Sequence, residues 1–393
     1  FFVMLSAEQP YAFPYIRLVR RPAALETCTA VAYYGQGAAQ LCSKGRKVTH
    51  VTRDLSSSLS IRMSRNRTIR IKGRDVGVLE VFTLNGKQYF AVERLSGARE
   101  RYKVFDPRAG LGGDFRVLQL LPQSRQATEY LNVLARLSQN NNNCPTILDF
   151  EARGRDVLLL LQWVTGPTLA DYMKRSQSKR GPGLSVYEAI RLFRGFAHGL
   201  TQLSHRKNVV HGDLHPGNLI VCREPNRLVL VDFGSAWLVE RTAKRNPADG
   251  VHPGYAAPEL LSGKTRFADF RSDQFSATVI FYEMLARKLP YDGIGGQAGL
   301  EGHEAYVETY VPPSKACPDR KLLTQAVWDQ LDAVVQRGLS IAPEDRYRNR
   351  RDWLRALDDI RYAVEKADRL DEEDAFLIRA IRWLHRLFPD AKR

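Results

Sequence analysis

The stretch His211–Trp237, HGDLHPGNLIVCREPNRLVLVDFGSAW, constrains this chain more than any other. Asp213 and Asn218 lie on one short loop, so both can face one site. "LIV" and "RLVLV" then read as two short strands. A hairpin there returns the chain so that Asp232 can face Asn218. Three separated oxygen donors are thereby brought together by local geometry. Phosphoryl transfer is mainly positioning plus charge neutralisation. It needs a carboxylate near the acceptor hydroxyl and oxygen ligands for magnesium on the phosphates. Asp213, Asn218 and Asp232 are therefore the candidate catalytic residues, and Asn218 and Asp232 the candidate metal ligands.

The rest of the chain can carry such a site. Its 393 residues suffice for two or three domains or one large bilobal enzyme. Apolar residues make up 44% and charged residues 26%, as in ordinary globular proteins. No apolar run approaches the roughly 18 residues that span a bilayer, and the opening FFVML is too short for a signal-peptide core. The cysteines at 28, 42, 144, 222 and 317 form no Cys-x-x-Cys pair. That argues against a zinc site or a disulfide framework and fits a reducing, cytoplasmic setting. Residues 1 to 125 hold 21 Lys and Arg against 9 Asp and Glu, which is +12 of the net +16. Such a surface favours anionic partners, nucleotide among them, or is simply solvated. No specific nucleic-acid partner is expected.

Along the chain the texture changes twice. Residues 1–72, rich in Ser and Arg, read as a divergent basic extension that buries little apolar surface and is expected to be irregular or disordered. From Val76, "VGVLEVFTLNGKQYFAVERL" reads as two strands around an Asn85-Gly86 turn. "RYKVFDPRAGLGGDFRVLQLL" reads as a second strand pair, "SRQATEYLNVLARLSQ" as a helix capped by Ser124, and "TILDFEARGRDVLLLLQWV" as a third hairpin. After Gly166 the pattern becomes helical, with Ala189, Leu192, Phe196, Leu200 and Leu203 at helical spacing. Further helix-like stretches follow. The fold class expected is α+β and bilobal: a small β-rich lobe over 73–164 with one key helix, and a large, mainly helical lobe over 165–365.

At these residues the chain resembles the eukaryotic-type protein kinase family, as a divergent member of bacterial type, over about 76 to 365. His211, Gly212, Asp213 and Asn218 match the catalytic loop, and Asp232-Phe233-Gly234 matches the metal-binding triplet. Ala257-Pro258-Glu259 matches the end of the activation segment. Asp273 matches the helix Asp that steadies the catalytic loop, and Arg346 the Arg that pairs with Glu259. "LLLQWVTGPTL" is similar to the hinge, with Leu161 as gatekeeper and Trp163 and Val164 beside the adenine. The resemblance implies ATP and Mg2+ as cofactors, a protein Ser or Thr as acceptor, and Asp213 as the group that orients or accepts the hydroxyl proton.

The pattern also departs from the family's. The usual nucleotide Lys lies on a central strand and pairs with a helix Glu. Glu129 is the best helix Glu, but the competing strands put Gln119 or Glu93 at the Lys position. Gln119 is favoured, because "YKVFDPRAGLGGDFRVLQLL" reads as strand, Gly loop, strand. Glu93 has the more familiar flanks, and "GRDVG" before it resembles a shortened Gly-rich loop. Lys87, Arg94, Lys103 and Arg116 are candidate replacement cations. Gly212 replaces the Arg that clamps an activation-loop phosphate, so Thr242 is not expected to be a required switch. His215 replaces the Lys that touches the γ-phosphate, and His252 stands where Ser/Thr kinases usually have a Thr.

Two other functions compete. One is a pseudokinase, a nucleotide-binding scaffold without turnover. The other is a small-molecule phosphotransferase, because "HGDLHPGN" is also similar to that loop. The segment 366–393 carries an apolar stripe (Phe376, Ala380, Trp383, Leu384, Leu387) beside Arg379, Arg382 and Arg386. It reads as an amphipathic helix that docks on the large lobe, with membrane contact the less favoured alternative.

Overall fold

The computed structural model describes residues 68–366, apart from 96–99, 111, 138–142, 178–183, 208, 224–225, 239–250 and 264–267. Before residue 68 it describes the strand backbones Phe2–Met4, Arg17–Val19 and Ser60–Ile61. Thr242, the helix expected over 366–393 from residue 367 on, and most of 1–72 lie outside the described residues. The chain forms two compact units, Phe1–Val164 and Thr165–Arg393.

The first unit is built on an antiparallel sheet. Its strands are β1 (Ser60–Ile61), β2 (Glu80–Leu84), β3 (Lys87–Arg94), β4 (Glu100–Asp106), β5 (Asp114–Pro122), β6 (Ile147–Arg153) and β7 (Asp156–Gln162). Their spatial order is β6-β7-β5-β4-β3-β2-β1. Helix α1 (Arg125–Leu137) follows β5 directly. Asn85 (φ 47°) and Gly86 (φ 73°) both take the left-handed conformation. A two-residue hairpin between right-twisted strands needs that geometry, which is why Asn-Gly joins β2 to β3. Ser124 caps α1 by accepting the Ala127 N–H at 3.1 Å.

Residues paired directly across strands share one face of a sheet. The pairs Tyr102–Leu118 and Leu118–Leu160 put these side chains on one face, with Val104 and Leu158. They are buried with Phe82, Leu84 and Tyr89 in an apolar core. The alternate residues, Arg101, Lys103, Val117, Gln119, Leu159 and Leu161, lie on the other face. The segment "GRDVG" is not an open loop but part of a hairpin. Arg74–Gly77 is a strand that pairs with Thr68–Ile71 in a separate ribbon, closed by Lys72 and Gly73 at positive φ.

The second unit is mainly helical. Its longer helices are α2 (Leu169–Gln177), α3 (Val186–Lys207), α4 (Phe270–Ala286), α5 (Gln325–Gly338) and α6 (350–366). The apolar stripe read on α3 is buried along its length. Phe193 of α3 stacks on Phe281 of α4 with ring centroids 4.1 Å apart, and Trp353 of α6 meets Phe193 edge-on. Each fully buried ring of this kind contributes roughly 1.5–3 kcal/mol relative to exposure. Between α3 and α4 the chain makes the hairpin of β8 (Leu219–Arg223) and β9 (Asn226–Leu230). It is the hairpin expected from "LIV" and "RLVLV".

Candidate active site

The loop His211–Asn218 is held from below by α4. Both oxygens of Asp273 accept backbone N–H groups, from His211 at 2.8 Å and Gly212 at 2.9 Å. Asp273 is itself fully buried, so these bonds satisfy a charge that would otherwise be costly. Gly212 has φ +73°. A side chain there would be strained, so the glycine has a backbone reason to occupy that position. The His211 ring is buried edge-on against Phe233 at 5.0 Å. Its Nδ1 accepts the Asp213 N–H at 3.3 Å, which leaves Nε2 to donate to the Val231 carbonyl at 3.4 Å.

Asp213 is gripped at its carboxylate. Oδ1 accepts the backbone N–H of His252 at 2.8 Å, and Oδ2 lies 3.9 Å from His215 Nε2. Burial pushes the Asp213 carboxyl above its ordinary value, against the His252 N–H, which pulls it down. Burial also lowers the pKa of His215, against the attraction of Asp213. His215 Nδ1 accepts the Gly217 N–H at 3.1 Å, which fixes the neutral tautomer with its proton on Nε2, towards Asp213. The rings of His215, His252 and Tyr255 form a small aromatic wall, with His252 and Tyr255 4.8 Å apart. Tyr255 is anchored by donating to Glu283 at 2.7 Å.

Asn218 belongs to the same loop. Its Nδ2 donates to the Asp213 carbonyl at 3.0 Å, which leaves the amide oxygen as the donor atom suited to a hard cation. The Val231 N–H donates to the Asn218 carbonyl at 2.9 Å, so the β8–β9 hairpin brings Asp232 back beside Asn218 in the chain path. Asp232 sits at φ 59°, ψ 69°, a left-handed conformation that Asp tolerates better than most residues, and it caps the turn at Gly234. No group of three or more His, Cys, Asp and Glu among the described residues is arranged to hold a metal by itself. One carboxylate and one amide oxygen suit magnesium, which keeps most of its shell for water and phosphate oxygens.

Glu259 and Arg346 form a buried bidentate pair at 2.8 and 3.0 Å. Ser272 donates to the same Glu259 oxygen, and Arg346 also donates to the carbonyls of Ser340, Arg271 and Ile341. Every strong donor of the guanidinium is thus used, which is what a fully buried charge requires.

In the first unit Gln119 lies on β5, flanked by β4 and β7, and is 1% exposed. Its Oε1 accepts the Tyr130 hydroxyl at 3.0 Å, while its buried Nε2 has no hydrogen-bond partner. The sequence pairs this position with Glu129. The bond that Gln119 makes goes to Tyr130, one residue further along α1. The sequence assigns Tyr130 no role, because nothing in a helix pattern marks which side chain meets the sheet. Glu93 is exposed on β3, 3.8 Å from Lys103. Leu161 is buried at the end of β7, and Trp163 and Val164 are half-buried.

Comparison with known proteins places this arrangement. Residues 120–347, more than half of the chain, match the protein kinase domain family. The chain belongs to the protein kinase family. It is 29% identical over 212 residues to the serine/threonine-protein kinase Pkn1 of Myxococcus xanthus, covering 53% of this chain and 28% of that protein. It is 32% identical over 178 residues to the probable serine/threonine-protein kinase PknB of Bifidobacterium longum, covering 44% and 24%. The match thus spans about a quarter of the length of these kinases. The kinase domain of Mycobacterium tuberculosis PknI superposes with a TM-score of 0.50 at 22% identity, over 71% of this chain and 97% of that one. The α+β fold of a β-rich and a helical unit is therefore that of a protein kinase. No helix among the described residues is long and apolar enough to cross a membrane.

Proposed function

We propose that the chain is an ATP- and magnesium-dependent protein kinase that phosphorylates Ser or Thr hydroxyls in the cytoplasm. The observation that carries this reading is the loop locked by Asp273, on which the Asn218 side chain donates to the Asp213 carbonyl. Asp213 would position the acceptor hydroxyl and take its proton. Its raised pKa brings it closer to the range in which a carboxylate acts as a base. Asn218 and Asp232 would hold magnesium, whose chemistry is to neutralise charge on the nucleotide phosphates. Leu161, Trp163 and Val164 would border the adenine. Gln119 takes the strand position usually held by Lys, and Glu129 lies beside Gln119's partner Tyr130 on α1. Asp273, His211, Phe233, Gly234, Glu259 and Arg346 act as the frame.

The test is transfer of labelled γ-phosphate from ATP to a generic protein and to the chain itself, with small hydroxylated acceptors in parallel. Labelled protein Ser or Thr is expected. Turnover that requires a small acceptor and ignores protein would make the chain a small-molecule phosphotransferase. Stabilisation by nucleotide without any transfer would make it a scaffold.

A further inference from the structure

We infer that Arg101, on the strand next to Gln119, supplies the phosphate-binding cation that β5 lacks; this rests on the kinase reading above. Arg101 is the direct cross-strand partner of Gln119. Direct partners share a face and bring their Cβ atoms within about 4.5–5.5 Å. A charge at Arg101 is therefore presented on the face where Gln119 meets α1, one strand over from its usual place. Arginine is long enough for that displacement, and its planar fork binds phosphate oxygens in pairs.

Gln119 itself is a poor substitute. It is neutral, its oxygen is held by Tyr130, and its buried amide nitrogen lacks a partner. An unmet donor in a buried position is destabilising. Such a group is explained if an acceptor atom reaches it in the working state, and a phosphate oxygen is an acceptor. Arg101 and Gln119 then form a donor pair: one charged, one neutral, on adjacent strands.

The other cations of this unit are worse placed. Arg116 lies on the opposite face, opposite Val104, and is paired to Asp114 at 2.6 Å. Arg94 is the register partner of Tyr102, which belongs to the core face. Lys87 pairs with Leu84 at the far end of the hairpin. Lys103 shares the face of Arg101, but its ammonium sits 4.6 Å from the Phe115 ring and 4.5 Å from the Trp163 ring, with Glu93 at 3.8 Å. It shapes the aromatic side of the sheet, where a base would lie.

The experiment compares binding of ATP and of adenosine by titration calorimetry, in the full chain with magnesium. Arg101→Met is expected to weaken ATP about 10- to 100-fold, that is about 1.4–2.8 kcal/mol, while adenosine changes less than about 2-fold. Lys103→Met is expected to weaken both ligands alike. Adding Gln119→Lys to Arg101→Met is expected to restore ATP affinity to within a few-fold, because it returns the cation to β5. In wild type, ATP but not adenosine is expected to protect Arg101 from modification by a dicarbonyl reagent, read by mass spectrometry. That measurement stands even if Arg101→Met does not fold. A folded Arg101→Met with unchanged ATP affinity, equal loss of both ligands, or no protection overturns the assignment of Arg101 alone. Wild type that binds neither ligand overturns the kinase reading as well.

Discussion

The strand β5 and the loop His211–Asn218 face the same demand, to hold charged groups without stranding them, and meet it in opposite ways. In the second unit the charges are kept and fully bonded: Asp273 accepts two backbone N–H groups, and Glu259 is paired to Arg346. In the first unit Gln119 is uncharged and meets Tyr130 through one neutral bond. The family match begins at residue 120, immediately after Gln119, and so leaves out strands β1 to β4. A metal centre tolerates little change, because donor type and position are fixed by the ion. A phosphate cation needs only charge within reach, and several positions on a sheet face can supply it.

The sharpest way to break this contrast is to remove one half of a buried pair. Arg346→Met leaves Glu259 charged and buried, and is expected to cost about 3–5 kcal/mol of stability in a denaturant titration. A loss below 1 kcal/mol would mean that the pair is not the buried frame described. Next comes Asp273→Ala, which strands the N–H groups of His211 and Gly212 at about 1–3 kcal/mol each. Transfer should fall at least about 100-fold with it, because a misplaced catalytic group loses that much. Full activity in a folded Asp273→Ala protein would refute the idea that α4 holds the loop.

In the first unit the expected effects shrink. Tyr130→Phe removes the neutral bond to Gln119 and should cost about 1–2 kcal/mol. A cost of 3 kcal/mol or more would show that the Gln–Tyr contact carries as much as an ion pair. The smallest effect is expected back in the second unit, at Asp358, bonded to Arg194 at 2.7 Å but 38% exposed. Arg194 holds the Asp358 carboxyl below its ordinary 3.8. A depressed carboxylate contributes stability above its unfolded value and loses it as pH falls through the folded one. Asp358→Asn should therefore cost under about 1 kcal/mol near neutral pH, less in high salt, and nothing in strong acid. A cost that grows with added acid would reverse the sign.

Much of this was legible in the residues. The β2–β3 turn, the α1 cap and the β8–β9 hairpin follow from local rules: Asn-Gly for left-handed φ, Ser at the helix start, alternation around a short turn. Asp213, Asn218 and Asp232 were readable as candidates because one loop and one hairpin carry them, although Asp273 and His252 hold that loop from afar. What was not legible depends on register. No local pattern shows that Gln119 lies opposite Arg101, or that the Tyr130 hydroxyl of α1 donates to it. Gly212 likewise read as a missing arginine, whereas its φ of +73° gives the position a backbone requirement of its own. "GRDVG" has loop composition, yet pairing with Thr68–Ile71 makes it a strand.

The central claim is that Asp213, on a loop fixed by Asp273, performs phosphoryl transfer. It is tested most directly by γ-phosphate transfer from ATP to protein, measured side by side for wild type and for Asp213→Asn shown to be folded by its thermal transition. A fall of about 10²–10⁴-fold in the variant is predicted, the usual contribution of a positioned base. Equal labelling of protein by the two would contradict it.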